Sequence, residues 1–186
     1  MSVYSLPRLF IAGLGNLPYP NTRHSIGQLV VDAVAERLGL RLRPTRDGFI
    51  SNGQVLIGDT NVDVTLYKTK ALMNISGRPI VAALRQTNAS PSSMIVLTDS
   101  LSHRVTSLSV KLGGSANGHN GVKSIISALG GDMAFYRFRL GIGRDQTDAA
   151  DYVMQRLSSH ERQFWNDEGV DLVLKEIEKI AKKSAG

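Results

Sequence analysis

Short apolar runs alternate with longer amphipathic stretches along the chain, and this alternation predicts an α/β fold with a mixed sheet. Some runs are continuously apolar, as expected for buried strands, and others alternate apolar with polar residues, as expected for strands with one buried face. Two runs are separated only by Gly58-Asp59 and a few polar residues, which predicts a turn between two strands. The six predicted strands cover residues 9–12, 49–57, 62–67, 94–97, 107–112 and 135–142.

Apolar residues at helical spacing predict helices between and after these strands. The first covers residues 26–38 and stops at Gly39, with Gln28 expected on its polar side. Pro79 is compatible with the second helix only if it lies in the first turn. The other helical segments run from Ser76 to about Arg85, over 122–129, from a capping box at 158–161, and over 170–181. We expect one domain over residues 1–186, with a mixed twisted sheet flanked by helices.

Composition adds constraints on the kind of protein this is. Cysteine is absent, which excludes disulfides, cysteine-ligated zinc and a cysteine nucleophile. The first nine residues lack the apolar core of a secretory signal, and no apolar run approaches the ~20 residues of a membrane span. We therefore expect no membrane partner and a cytoplasmic location, with the mitochondrion as the alternative.

The chain is basic, with 22 Lys and Arg against 16 Asp and Glu and a net charge of +6. A basic surface favours polyanions, nucleic acid above all, although many basic proteins bind none. Arg41, Arg43 and Arg46 form an exposed connection, and four further cations surround a glycine-rich loop at residues 113–121. That loop does not match a nucleotide-binding fingerprint, and we interpret it as a place where a bulky substrate approaches the backbone. The four cations, which suit phosphate if they are not simply a solvated face, are Lys111, Lys123, Arg137 and Arg139.

Four histidines are candidates for acid–base chemistry, because imidazole titrates near neutral pH. His24 follows the first strand, and ligands of α/β folds bind beyond the carboxyl ends of strands. His160 lies in a helix cap and His103 in a polar loop, so both are expected at the surface. For His119, in the glycine-rich loop, local hydrogen bonding and substrate contact both stay open.

Asp99 ends another predicted strand, where its carboxylate could accept a hydrogen bond from an imidazole and fix the tautomer. An aspartate that caps a turn is the alternative. Asn16, Asn74 and Asn120 follow strands or loops expected near the same end of the sheet. Carboxamides both donate and accept hydrogen bonds, so they can orient a water and a carbonyl together. The sequence contains no HExxH, no GxSxG and no set of ligands at metal spacing, so we expect no metal and no cofactor.

Five blocks of sequence occur in a distinctive order. They are GLGN at 13–16, TRH at 22–24 with Gly27, MN-x-SG at 73–77, KLGG at 111–114 leading to GHNG at 118–121, and R-x-R-x-GIG at 137–143. Together they resemble the bacterial-type peptidyl-tRNA hydrolase family. The resemblance implies a monomeric α/β protein of the peptidyl-tRNA hydrolase/phosphorylase-like fold. It also implies an enzyme that cleaves the ester between a peptide and the 3′ ribose of tRNA.

The resemblance also implies roles for individual residues. His24 would be the general base that activates water, and Asp99 would hold its imidazole. Asn74 and Asn120 would orient water and substrate, while Asn16 would sense the blocked amino end of the peptide. The cleft would be lined by Tyr19, Leu72 and Met73, and tRNA phosphates would meet Lys111, Lys123 and Arg139.

The chain departs from the family pattern in three places. The segment from Asn16 to His24 is two residues shorter than usual, and Ser25 stands where asparagine is usual. Ser100 and Ser102 replace the acidic pair that normally follows the aspartate. These departures suggest a divergent member, of eukaryotic or organellar type.

Two rivals to a peptidyl-tRNA hydrolase are a non-catalytic RNA-binding protein on the same scaffold and a hydrolase of small N-blocked esters. The retained polar set argues against the first. The basic rim argues against the second.

Overall fold

Seven strands form one mixed sheet in the computed structural model, which describes residues 5–185. The strands are β1 (Arg8–Gly13), β2 (Arg43–Pro44), β3 (Gly48–Ile57), β4 (Thr60–Thr69), β5 (Met94–Ser100), β6 (Leu108–Leu112) and β7 (Tyr136–Gly141). Their order across the sheet is β2-β3-β4-β1-β5-β7-β6. The central strand β1 is parallel to β4 and β5, and β5 is parallel to β7. Antiparallel pairs complete both edges. The predicted mixed sheet is confirmed.

Helices cover both faces of this sheet because β1 alternates between two hydrophobic clusters. Leu9 and Ile11 point to one cluster, whereas Phe10 and Ala12 point to the other. Three helices, α1, α5 and α6, supply the first cluster, and α2 and α3 supply the second. The helices are α1 (Ile26–Arg37), α2 (Gly77–Gln86), α3 (Asn120–Ala128), α4 (Ala149–Tyr152), α5 (Ser159–Asn166) and α6 (Glu168–Ala185).

The six predicted strands and five predicted helices are all present, with ends that differ by a few residues. Pro79 lies in the first turn of α2, as required, and the Ser158 hydroxyl caps α5 by accepting from the backbone of Glu161. Two short elements, β2 and α4, were not predicted. The expectation for Gln28 was wrong. Its side chain is buried and donates to the carbonyls of Gly15 and Thr69.

The start of α1 packs directly on the carboxyl end of the central strands. A Cβ atom on Gly27 would lie 2.2 Å from the carbonyl oxygen of Leu97 in β5. A Cβ on Gly13 would lie 2.3 Å from the carbonyl oxygen of Gly27. Because real Cβ atoms do not approach so closely, only glycine permits this contact. The contact brings the residues just before α1, His24 among them, to the end of β5.

A later segment of the chain fixes the backbone around His24. The amide of His24 donates to the carbonyl of Val153 at 2.8 Å, and the amide of Arg23 donates to Gln155 at 2.9 Å. Thr22 forms an isolated antiparallel bridge with Arg156. The Arg23 guanidinium stacks 4.2 Å above the ring of Tyr152. The loop before α1 is therefore held by residues 152–156.

Within residues 5–185, no helix is both long enough and apolar enough to cross a membrane. The expectation about a secretory signal rests partly on residues 1–4, which lie outside the described residues.

Candidate active site

His24 and Asp99 meet at the carboxyl end of β5. Nδ1 of His24 lies 2.9 Å from Oδ2 of Asp99. The Asp99 side chain is almost fully buried, while the imidazole of His24 keeps 17% of its surface exposed. The two residues are 75 positions apart in sequence, and the packing of α1 on β5 brings them together. The pair therefore has one buried carboxylate and one imidazole that solvent can reach.

A second imidazole contacts the same carboxylate. Nε2 of His119 lies 2.7 Å from Oδ1 of Asp99 and 2.9 Å from the Thr98 hydroxyl. Nδ1 of His119 accepts from the backbone amides of Gly121 and Val122, so His119 caps the N-terminus of α3. The two rings are 5.5 Å apart, and only Asp99 links them.

These contacts fix the tautomers of both histidines. Because Nδ1 of His119 accepts two backbone N–H groups, its hydrogen must be on Nε2, which donates to Asp99. The Asp99 carboxylate can only accept, so Nδ1 of His24 donates to it as well. That leaves Nε2 of His24 unprotonated, with its lone pair free. An imidazole in this state is a general base.

The electrostatics keep Asp99 ionised. Burial alone would raise the pKa of its carboxyl group, but His119 and His24 together hold that pKa well below its usual range. A permanently negative Asp99 stabilises positive charge on a neighbouring imidazole. The site can therefore stabilise an imidazolium on His24 after the ring has accepted a proton.

Asn16 joins the end of β1 to the turn after β4. Its side-chain oxygen accepts from the backbone amide of Met73 at 2.7 Å. Its Nδ2 group makes no hydrogen bond to other described residues and remains available as a donor. The expectation that Met73 lines an open cleft is not what the structure shows, because its side chain is 4% exposed and packs in the core under α2 and α3. Met73 acts through its backbone, which carries Asn74 to the surface.

Asn74 and Asn120 both lie at the surface and line one groove. Asn74 is in the 3-10 turn after β4, and Asn120 is the first residue of α3. Neither carboxamide is engaged with another described side chain. Since Asn120 follows His119 directly, the groove begins beside the two imidazoles. The three asparagines are thus brought to the same end of the sheet as His24 and Asp99.

The loop after β1 carries Tyr19, which is 53% exposed. Ser25, the residue that departs from the family pattern, is buried beneath this loop. Its hydroxyl accepts from the backbone amide of Asn16 at 2.9 Å and lies 2.9 Å from the carbonyl of Tyr19. Ser25 thus connects the two ends of the shortened loop. Leu72, on the turn that carries Asn74, is also exposed, at 47%.

Cations gather on β6 and β7, beyond β5. Lys111 pairs with Arg137 across these strands, and Ser109 pairs with Arg139 and accepts from its guanidinium at 2.7 Å. Arg139 is also in register with Thr98, the hydroxyl that contacts His119, so the cations share its face of the sheet. Arg137 was expected in an exposed rim, but it is 3% exposed and donates to the carbonyl of Gly113. Lys123 is not in this group and lies on α3, in the groove of the asparagines.

The remaining two histidines lie outside the Asp99 network. His160 is exposed, as expected. His103 is half-buried, and its Nδ1 lies 2.7 Å from the hydroxyl of Ser100. Burial and then the charge of Arg139 lower the pKa of His103. Ser100, which stands in place of an acidic residue, therefore contacts a neutral imidazole.

His24, Asp99 and His119 are also the one group of potential metal ligands found among residues 5–185, with ligand atoms within 4.8 Å of one another. Their contacts of 2.7 and 2.9 Å are hydrogen-bond distances. Nε2 of His119 carries a hydrogen in this arrangement and has no lone pair to offer. The geometry therefore fits a proton network.

His119 is the residue whose place sequence reasoning left undecided. The signal was present, because a histidine one residue before an apolar helical stretch is at a capping position. Histidine is not a usual N-cap residue, so this signal did not stand out. The structure shows both local hydrogen bonding, through Nδ1, and a direct link to Asp99, through Nε2.

Comparison with known proteins was consistent with this geometry. The family described as "Peptidyl-tRNA hydrolase" matches residues 10–185. A peptidyl-tRNA hydrolase from Streptomyces coelicolor is 37% identical over 176 residues, covering 88% of this chain and 86% of the relative. A relative from Mus musculus is 34% identical over 175 residues, covering 91% and 85%. The crystal structure of peptidyl-tRNA hydrolase from Acinetobacter baumannii superposes with a TM-score of 0.84 at 25% identity, covering 96% of this chain and 91% of that one.

The match extends over almost the whole described chain, and the relatives are covered over most of their own length. The fold expected from the sequence is the fold of the solved family structure. This chain belongs to the peptidyl-tRNA hydrolase family.

Proposed function

We propose that this protein hydrolyses the ester that joins an N-blocked peptide to the 3′ ribose of tRNA, with His24 as general base. The observation that carries the proposal is the hydrogen-bond network on Asp99, which leaves the lone pair of His24 Nε2 free and exposed. Family membership supplies the class of substrate.

The reaction needs one proton to be taken up and later returned. Nε2 of His24 removes a proton from water as the oxygen bonds to the ester carbonyl carbon. The carbonyl oxygen carries the resulting negative charge. When the tetrahedral intermediate collapses, the bond to the ribose 3′ oxygen breaks, and the imidazolium returns the proton to that oxygen. General-base help of this kind contributes ~10²–10⁴-fold, and the negative Asp99 stabilises the imidazolium between the two transfers.

The carboxamides serve the substrate on this proposal. Asn74 and Asn120 orient the water and the carbonyl, because each offers a donor and an acceptor at the surface beside the imidazoles. Asn16 contacts the peptide through its free Nδ2 group. Tyr19 and Leu72, both exposed, line the cleft, and Met73 supports it from below.

The cations of β6 and β7 bind the RNA part of the substrate. Lys111 and Arg139 are partly exposed and share a face with the histidine network, so phosphates bound there would position the 3′ end near His24. Phosphate contacts give affinity that does not depend on which amino acid the tRNA carries. We propose further that residues 1–186 act as one domain and as a monomer, in the cytoplasm or the mitochondrion, with peptidyl-tRNA as the nucleic-acid partner.

The test is release of peptide from N-blocked aminoacyl-tRNA by the wild type and by His24→Ala. We expect turnover by the wild type, loss of turnover in the variant, and unchanged tRNA affinity in both. Binding of tRNA without turnover by the wild type would instead indicate an RNA-binding protein on this scaffold. Turnover that is insensitive to salt and to Lys111→Ala/Arg139→Ala would indicate a hydrolase of small esters, because phosphate contacts weaken as salt rises.

A further inference from the structure

A groove of about 520 Å³ runs along the surface between α2 and α3, and it begins at Asn74 and Asn120. Its lining contains two cations and no acidic residue. The residues that line it are Asn74, Ile75, Arg78, Asn120, Lys123, Ser124, Ser127 and Ala128. The asparagines belong to the proposed hydrolytic site, but the other end of the groove has no role in it.

Arg78 and Lys123 are both exposed and lie on the two opposite walls of this groove, Arg78 on α2 and Lys123 on α3. Within residues 5–185, neither cation forms a salt bridge, although Arg8, Arg37, Lys68 and Lys182 all do. A guanidinium and an ammonium facing one groove without a carboxylate create a positive potential there. That potential favours an anionic group inside the groove.

Hydroxyl groups add further donors. The Ser124 hydroxyl oxygen accepts from the backbone amide of Gly77 at 2.8 Å, so its hydrogen is free to point into the groove. Ser127 is exposed one turn further along α3. A carboxylate placed between the helices would find the guanidinium, the ammonium and two hydroxyl groups within one pocket, which is the donor set that carboxylates prefer.

The position of the groove indicates which part of the substrate enters it. Along the sheet, β7 and β6 lie on one side of β5, and β1 and β4 lie on the other. The phosphate-binding cations stand on β6 and β7, whereas α2 packs on the side of β4. An ester held at Asp99 and His24 therefore has the RNA leaving toward β6. The peptide then leaves toward α2, along the groove.

We propose that Arg78 and Lys123 form a subsite for an acidic side chain of the peptide, so that the enzyme prefers peptides with Asp or Glu near the ester. This inference rests on the proposed function. Because the subsite is exposed, the preference is modest. An exposed ion pair supports a preference of about fivefold at most per contact.

The experiment uses a set of N-blocked tripeptidyl-tRNAs in which Glu or its neutral isostere Gln occupies each peptide position in turn. For the wild type we expect kcat/KM to be about two- to fivefold higher for Glu than for Gln at one position. Arg78→Gln/Lys123→Gln should remove this ratio and leave the rate on the Gln peptides unchanged. Arg78→Glu/Lys123→Glu should invert it. Arg85→Gln is the matched control, since Arg85 is exposed on the same helix outside the groove.

The outcomes separate the two proposals. Equal rates for Glu and Gln at all positions, with normal turnover, would overturn the subsite and leave the hydrolase intact. Equal loss on every peptide in the double Gln variant, with a shallower salt dependence, would also overturn it and place Arg78 and Lys123 on RNA phosphates. Absence of turnover on every substrate would overturn the hydrolase and the subsite with it.

Discussion

Nε2 of His119 lies 2.7 Å from Oδ1 of Asp99, and this contact sets the protonation of the whole site. It occupies one carboxylate oxygen with a neutral imidazole and leaves the other for His24. Two histidines with different duties therefore share one carboxylate: His119 is tied to a helix N-terminus, and His24 faces solvent.

Loss of His24 should remove general-base catalysis. We expect His24→Ala to lower kcat by ~10²–10⁴-fold, the usual contribution of a general base, with little change in the affinity for tRNA. Asp99→Asn should lower kcat by a similar order, because an amide cannot accept from both imidazoles at once. The double variant should be no slower than His24→Ala, since Asp99 acts through His24. Additive losses, measured by single-turnover peptide release, would contradict this assignment.

His119 has a structural duty and an electrostatic one, and two substitutions separate them. His119→Ala should lower the free energy of unfolding by about 1 kcal/mol, because α3 loses its cap. His119→Asn should recover most of that stability, since asparagine is a good N-cap residue, but it should not recover activity. Urea denaturation and peptide release would be measured on both variants. Full activity in His119→Asn would mean that the contact with Asp99 is unimportant for turnover.

The ionisation of Asp99 predicts a specific dependence of stability on pH. A carboxyl group whose pKa is lower in the folded state stabilises the protein above its ordinary pKa, which is about 4. That stabilisation is lost as the pH falls from there toward the lowered value. We expect the free energy of unfolding of the wild type to fall more steeply between pH 5 and pH 3 than that of Asp99→Asn. Parallel curves for the two proteins in urea denaturation would show that Asp99 keeps an ordinary pKa.

The charge of Arg139 should be detectable at His103. Burial and Arg139 both lower the pKa of His103, so removing the charge should raise that pKa. We expect the imidazole of His103 to titrate at higher pH in Arg139→Gln than in the wild type, as followed by NMR. Arg85→Gln, on α2, serves as the control and should leave the titration unchanged. An equal pKa in all three proteins would exclude an effect of Arg139.

Local patterns were sufficient to predict the fold from sequence. The strands and helices that carry the site have strong periodicity and clear turn residues, so their existence and order could be predicted. The strand β2 could not, because it is two residues long and depends on pairing with β3. Gln28 was misplaced for a related reason. Periodicity treats glutamine as polar, whereas the carbonyls of Gly15 and Thr69 satisfy its amide inside the protein.

Residue types and their positions at strand ends predicted which side chains meet, but not how they are bonded. The contact of His24 with Asp99 follows from the two strand ends. The burial of Arg137 does not, because an arginine in an alternating strand is indistinguishable from one on a solvated face. The tautomers also required coordinates, since they depend on backbone amides that the Nδ1 atom of His119 happens to reach.

The attachment of His24 to Val153 has a consequence for synthesis of the protein. A chain emerging from the ribosome in order presents His24 and Asp99 well before residues 153–156 exist. Until those residues arrive, the amides of Arg23 and His24 lack the carbonyls that hold them in place. The nascent enzyme therefore acquires its working base late, only once most of its own translation is complete.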